Sequence, residues 1–153
     1  MRSIIGLSML VVMSTTVVAA DKPEDLAKTA ALDLLKAIKA KDAEAVLKLM
    51  DTPFLYHEGS LATHKDKADL KTWVTNRLAD LKDPDKVPST IDEVVTFATI
   101  KEKIKDDAER TLAEEAVGKD GFVAMTSTGD GKKVVIPVRM RDGKARIVGI
   151  IVH

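Results

Sequence analysis

The sequence predicts an α+β domain in which two N-terminal helices precede a sheet, in the order α-α-β-α-β-α-β-β-β. Three observations carry that prediction. Apolar residues recur at helical spacing through residues 21–50. The last third alternates apolar runs with turn signals: "GFVAMTST", "GDG", "KKVVIPVRM", "RDGK" and "ARIVGIIVH". Cysteine is absent, so no disulfide or thiolate site contributes and the fold rests on its apolar core.

The first helix opens at "DKPE", where Asp21 is placed to cap, Pro23 suits the first turn and Glu24 completes a capping pattern. Leu26, Ala30, Ala31, Leu34, Leu35 and Ile38 form its apolar stripe. Asp42 caps a second, short helix carrying Ala43, Val46, Leu47 and Met50, which Pro53 is expected to stop. "FLYHE" then reads as a strand ended by Gly59 and Ser60. Asp66 opens a third helix with Leu70, Trp73, Val74, Arg77, Leu78 and Leu81 on one stripe, ended by Asp83–Pro84.

"EVVTFA" (93–98) reads as the next strand. Thr99 and Glu102 form a capping box for one helix running to about Val117, which Gly118 closes. Three strands follow. Asp142–Gly143 is the sharpest hairpin signal, because a two-residue turn needs positive φ. Pro137 lacks a ladder donor and predicts an edge position or a bulge, while Gly149 predicts a bend. Arg146, Val148, Ile150 and Val152 alternate with Ala145, Ile147, Gly149 and Ile151, and both sets are apolar beyond Arg146. That strand should be buried on both sides, against helices on one and a second layer or a partner chain on the other.

Residues 1–20, "MRSIIGLSMLVVMSTTVVAA", have a positive start, an apolar run and a small-residue end, the pattern of a signal peptide cleaved after Ala20. The alternative is a retained anchor, but the run is interrupted at Ser14–Thr16 and a span needs about 20 mostly apolar residues. Residues 21–153 should then form one exported domain, periplasmic or extracellular, with no membrane contact after cleavage. Lysine plus arginine balance aspartate plus glutamate at 24 each. No basic block interleaves with aromatics, so nothing supports nucleic-acid binding.

The run "YHE" places three proton-handling residues in a row. Strand alternation puts Tyr56 and Glu58 on one face and His57 on the other, so His57 and Glu58 form no dyad. His64 and His153 have no metal-ligand spacing with His57. "GDGKK" and "RDGK" are explained as hairpin turns, and Ser89 and Ser127 lack a nucleophile setting. No catalytic residue, metal or cofactor is assigned.

Two helices, the strand "PFLYHEG", a further helix and terminal strands ending in "DGKARIVGIIVH" resemble the nuclear-transport-factor-2-like superfamily, which also takes in SnoaL-like, cystatin-like cones. The resemblance covers residues 21–153. It implies a curved antiparallel sheet wrapped around the N-terminal helices, with a pocket at the open end of the cone. The helix from Thr99 is longer than the simplest members need, and reads as a lid or decoration.

Such domains include isomerases, dehydratases and cyclases as well as non-catalytic binders, so function must come from pocket residues. Tyr56, Trp73, Phe97 and Met125 are the large or adaptable side chains available to line it, with His57 on the same strand and Arg139 as an anion anchor. Sparse polar chemistry favours a binder of a small apolar ligand or a protein partner. The alternative is an acid–base enzyme acting on a small organic substrate through Tyr56 or His57. A homodimer through the outer sheet face is the alternative to a second layer there.

Overall fold

The computed structural model describes residues 21–153. The export segment expected at residues 1–20 lies outside the described residues. Helix α1 (Pro23–Lys39) opens with Pro23 at its first position. Lys22 occupies the N-cap without a side-chain bond, so the expected Asp21 cap does not form. Ala27, Ala30, Ala31 and Ala37 give α1 a buried face of short side chains, and Leu34 and Leu35 fill the remaining space.

Asp42 caps α2 (Ala43–Leu49) by accepting from the Ala45 N–H at 3.0 Å. A lost cap of this kind costs about 1 kcal/mol. Strand β1 (Met50–His57) follows with no intervening loop. Pro53 therefore does not end the helix as expected; it lies inside β1, where pairing with its neighbour lapses between Met50 and Leu55. The lapse is where a residue without an N–H is tolerated.

Gly59, with φ of +88°, turns the chain into β2 (Leu61–His64), a hairpin partner that periodicity did not reveal. Asp66 caps α3 (Lys67–Asp80) through the Asp69 N–H. A 3-10 turn at Pro84–Lys86 leads to β3 (Glu93–Thr96).

The expected single helix from Thr99 is two. Phe97 leaves the strand to open α4 (Phe97–Lys101), and α5 (Asp107–Val117) starts afresh where Asp106 caps the Glu109 N–H. Thr99 forms no capping box; its hydroxyl bonds that of Thr96 at 2.9 Å. Gly118, at φ of +77°, closes α5.

Strands β4 (Phe122–Ser127), β5 (Lys133–Arg141) and β6 (Lys144–Val152) match the sequence reading. Asp142 and Gly143 both have positive φ, at 52° and 69°, as the two-residue turn requires. The six strands run β2-β1-β6-β5-β4-β3. Every pairing is antiparallel except β1 with β6, which is parallel.

Pro137 sits in the interior strand β5, and the bulge alternative holds. Between Val135↔Ile151 and Val138↔Ile147, β6 carries one residue more than β5. That residue flips the alternation. Ile147 and Ile150 both join the large core and Val148 joins the opposite one, so the expected grouping of Val148 with Ile150 fails. Gly149 lies within the bulge, where an added Cβ would stand 2.9 Å from the Leu55 carbonyl oxygen and 3.2 Å from Pro137.

The curved sheet thus separates two cores. On the concave side α1, α2 and α3 pack on Phe54, Ile136, Val138 and Ile147. On the convex side α4 and α5 pack on Leu55, Val123 and Val148, the second-layer option for the doubly apolar β6. Burying each such large side chain contributes about 1.5–3 kcal/mol.

Candidate functional site

The concave side is not closed. A cleft of ≈ 710 Å³ opens between α3, the end of α1 and the end of β6. Ile38, Val46, Val74, Leu78 and Ile150 make its apolar walls. Such a volume suits a small organic molecule.

Strand alternation and helical spacing together build its mouth. Tyr56 on β1 and Glu58 just past its end both line the cleft; on α3, Trp73 and Arg77 stand one turn apart on the cleft side. Trp73 is packed among three rings, with centroids 5.4 Å from Phe54, 4.8 Å from Tyr56 and 5.2 Å from His64. His64 is oriented by Asp69, whose Oδ2 lies 2.7 Å from His64 Nδ1. Packing on both sides therefore holds the indole in place.

Tyr56, Glu58 and Arg77 form a closed polar triad. The Tyr56 hydroxyl donates to Glu58 Oε2, and Arg77 Nη2 donates to the same oxygen at 3.1 Å and to the Tyr56 oxygen. The Arg77 guanidinium also lies 4.5 Å from the Tyr56 ring centre. Glu58 and Arg77 are about half exposed, so the pair marks the rim rather than the floor.

Burial pushes the Tyr56 hydroxyl up to about 12, with the hydrogen bond to Glu58 adding to the effect. The hydrogen bond from Tyr56 holds the Glu58 carboxyl below its ordinary range, helped by Arg77 and Lys132. At neutral pH the phenol is thus protonated and the carboxylate charged. The shifts move both groups away from neutrality, whereas proton shuttling needs a pKa close to the working pH. The triad presents fixed donors and charges.

Of the residues expected to line a pocket, the structure brings Tyr56 and Trp73 together in this cleft. His57 points to the other side of the sheet, 5.6 Å from the His153 ring, in a separate cleft with Leu55 and Ile104. Phe97 is buried in the convex core and Met125 packs against it. Arg139 does meet an anion, but the protein's own: its Nη2 lies 3.1 Å from Asp51 and donates to the Thr52 carbonyl at 2.8 Å. No group of three or more metal-ligating side chains occurs among the described residues.

Sequence reasoning missed Arg77 as a site residue. It stood in an otherwise apolar stripe four residues after Trp73, which was the available signal. Lys132, also at the mouth, was hidden in the "GDGKK" turn.

No protein-family model matches the sequence, and no curated protein matches it. Solved structures match the fold. An NTF2-like protein of unknown function from Shewanella oneidensis MR-1 is 9% identical, with a TM-score of 0.52 over 86% of this chain and 98% of that one. An NTF2-like protein of unknown function from Pseudomonas putida KT2440 is also 9% identical, with a TM-score of 0.50 over 84% of each chain. The fold is NTF2-like, the curved-sheet cone that the resemblance implied.

Proposed function

We propose that the domain binds a small, largely apolar molecule in the concave cleft, with a polar end seated at Tyr56, Glu58 and Arg77. One observation carries the reading: an apolar cleft at whose mouth Glu58 and Arg77 are already paired with each other. An apolar body gains from burial at about 25 cal/mol per Å². Displacing water from the triad costs little if the ligand's polar end replaces its hydrogen bonds. Arg77, Lys82 and Lys132 against Glu58 and Asp80 leave the rim slightly positive. A hydroxyl or a single carboxylate suits that balance better than a cation.

The competing acid–base reading would use Tyr56 as a donor to substrate oxygen. Its phenol holds its proton firmly and Glu58 stays ionised, which supports binding over proton exchange. An exported setting belongs to the proposal on the sequence of residues 1–20 alone. On the outer sheet face, where association of two copies is the alternative to a second layer, α4 and α5 pack on Leu55, Val123 and Val148.

Trp73 is the sole tryptophan and lines the cleft, so its emission reports occupancy directly. Titration of the full chain with octanol and with octanoate should give a saturable emission change. Ile150→Arg, or Leu81→Arg if the first variant fails to keep its circular-dichroism spectrum, should abolish it. A flat titration with both probes, or an undiminished signal in a folded, blocked variant, would refute the reading.

A further inference from the structure

A second cleft, of ≈ 440 Å³, lies at the opposite end of β1. Leu47 and Met50 contribute to its floor, and five cationic residues surround it: Lys48, Lys67, Arg141, Lys144 and Arg146. Only Asp51 and Asp142 oppose them in the lining, a net of three positive charges. The chain as a whole has 24 basic and 24 acidic residues, so this excess is local.

Three features make it more than scattered surface lysines. The cations come from α2, α3, β5 and β6, four elements that converge only in the folded chain. The arginines are anchored: Arg146 donates to the Lys48 carbonyl, and Arg141 Nη1 lies 3.6 Å from Asp51. Asp51, with its side chain only 16% exposed, is held underneath by Arg139, itself 18% exposed. Asp51 is therefore shared between two guanidinium groups, and among the described residues no ion pair engages Lys48, Lys67 or Lys144.

Lys67 adds an electrostatic argument. It is the first residue of the 14-residue helix α3, where the helix dipole disfavours a cation. Asp66 at the N-cap and Asp69 in the first turn offset the dipole, since each carboxylate keeps its charge while bonding the Asp69 N–H or His64. Lys67 itself lines the cleft, and its charge adds to a positive potential there that attracts anions.

We infer that this cleft is a binding site for a multiply charged oxyanion, the phosphate or diphosphate group of a small molecule. Arginine offers planar paired donors to such oxygens and lysine a mobile point charge. A single carboxylate would leave most of the charge unmatched. The inference does not depend on the ligand of the concave cleft, although Met50 lines both.

The test uses inorganic pyrophosphate as the probe, with acetate as a monovalent control, in calorimetric titration of the full chain at low salt. Pyrophosphate should bind at one site, acetate should not, and affinity should fall as salt rises. The Lys67→Glu/Lys144→Glu double variant alters two exposed side chains that make no hydrogen bond among the described residues. It should weaken binding at least about tenfold while leaving the circular-dichroism spectrum unchanged. Vesicles of phosphatidylcholine with and without a phosphoinositide separate the sources of the group. Pyrophosphate binding with or without phosphoinositide binding supports the site and assigns a headgroup or a soluble phosphate as its ligand. Absence of pyrophosphate binding, equal binding of acetate, or full affinity in the double variant would overturn it.

Discussion

The two ends of β1 are built from similar side chains and do opposite things with them. Around Tyr56, charges pair within hydrogen-bond reach of one another and the cleft behind them is apolar. Around Met50, cations face one another across a polar cleft with too few acids to neutralise them. Composition alone cannot distinguish the two, because the chain's charge is balanced as a whole. What distinguishes them is which charges the fold brings into contact. Paired charge makes a rim that tolerates an apolar ligand; unpaired charge makes a site that wants an anion.

The comparison rests on a shared scaffold, so the largest expected effect removes it. Phe54 is fully buried beside Trp73 on the strand that joins the two clefts. Phe54→Ala should cost about 3–5 kcal/mol in urea unfolding and damage both clefts together. A cost below about 1 kcal/mol would show that the concave core is not packed as described.

Gly149→Ala comes next. The added methyl would meet the Leu55 carbonyl at 2.9 Å, backbone that cannot rotate away. Overpacking of this kind costs about 1–3 kcal/mol. The substitution should separate β1 from β6 and shift amide resonances along both strands, while those of β3 stay in place.

Tyr56→Phe sharpens the comparison at one end only. Loss of a hydrogen bond contributing about 1 kcal/mol should weaken octanol or octanoate binding several-fold, with pyrophosphate affinity unchanged. Equal losses for both probes would mean that the clefts are not independent.

The smallest effect is on pH dependence. Tyr56 is raised to about 12, so its contribution is complete below its unfolded value near 10 and fades as pH climbs through about 12. Glu58 is lowered, so its contribution is complete above the ordinary carboxylate range and fades as pH falls through its lowered value. Octanol binding should therefore be flat between those limits. A bell-shaped profile centred near neutrality would favour the acid–base reading.

Much of this architecture was legible because it depends on local chemistry. Asp42, Asp66 and Gly118 cap helices where their types require it, and Asp142–Gly143 turns the final hairpin. The separation of His57 from Glu58 followed from alternation alone. The rest depended on contacts distant in sequence. Strand β2 is four residues long and owes its existence to pairing with β1. The bulge at Gly149 answers Pro137 and Leu55, which no periodicity in β6 could report. The break between α4 and α5 reflects the new cap at Asp106. Of the site, Tyr56 and Trp73 were visible as large side chains, but Arg77 and Lys132 become site residues only when α3 and the β4–β5 turn meet the end of β1.

Amide chemical-shift mapping on one isotopically labelled sample tests the central claim most directly. Octanol should move the Trp73 indole signal together with Val74, Leu78 and Ile150, and leave Lys144 and Arg146 where they were. Shifts confined to the basic cleft, or no saturable shifts at Trp73, would contradict the account of an apolar binding site closed by the Tyr56–Glu58–Arg77 triad.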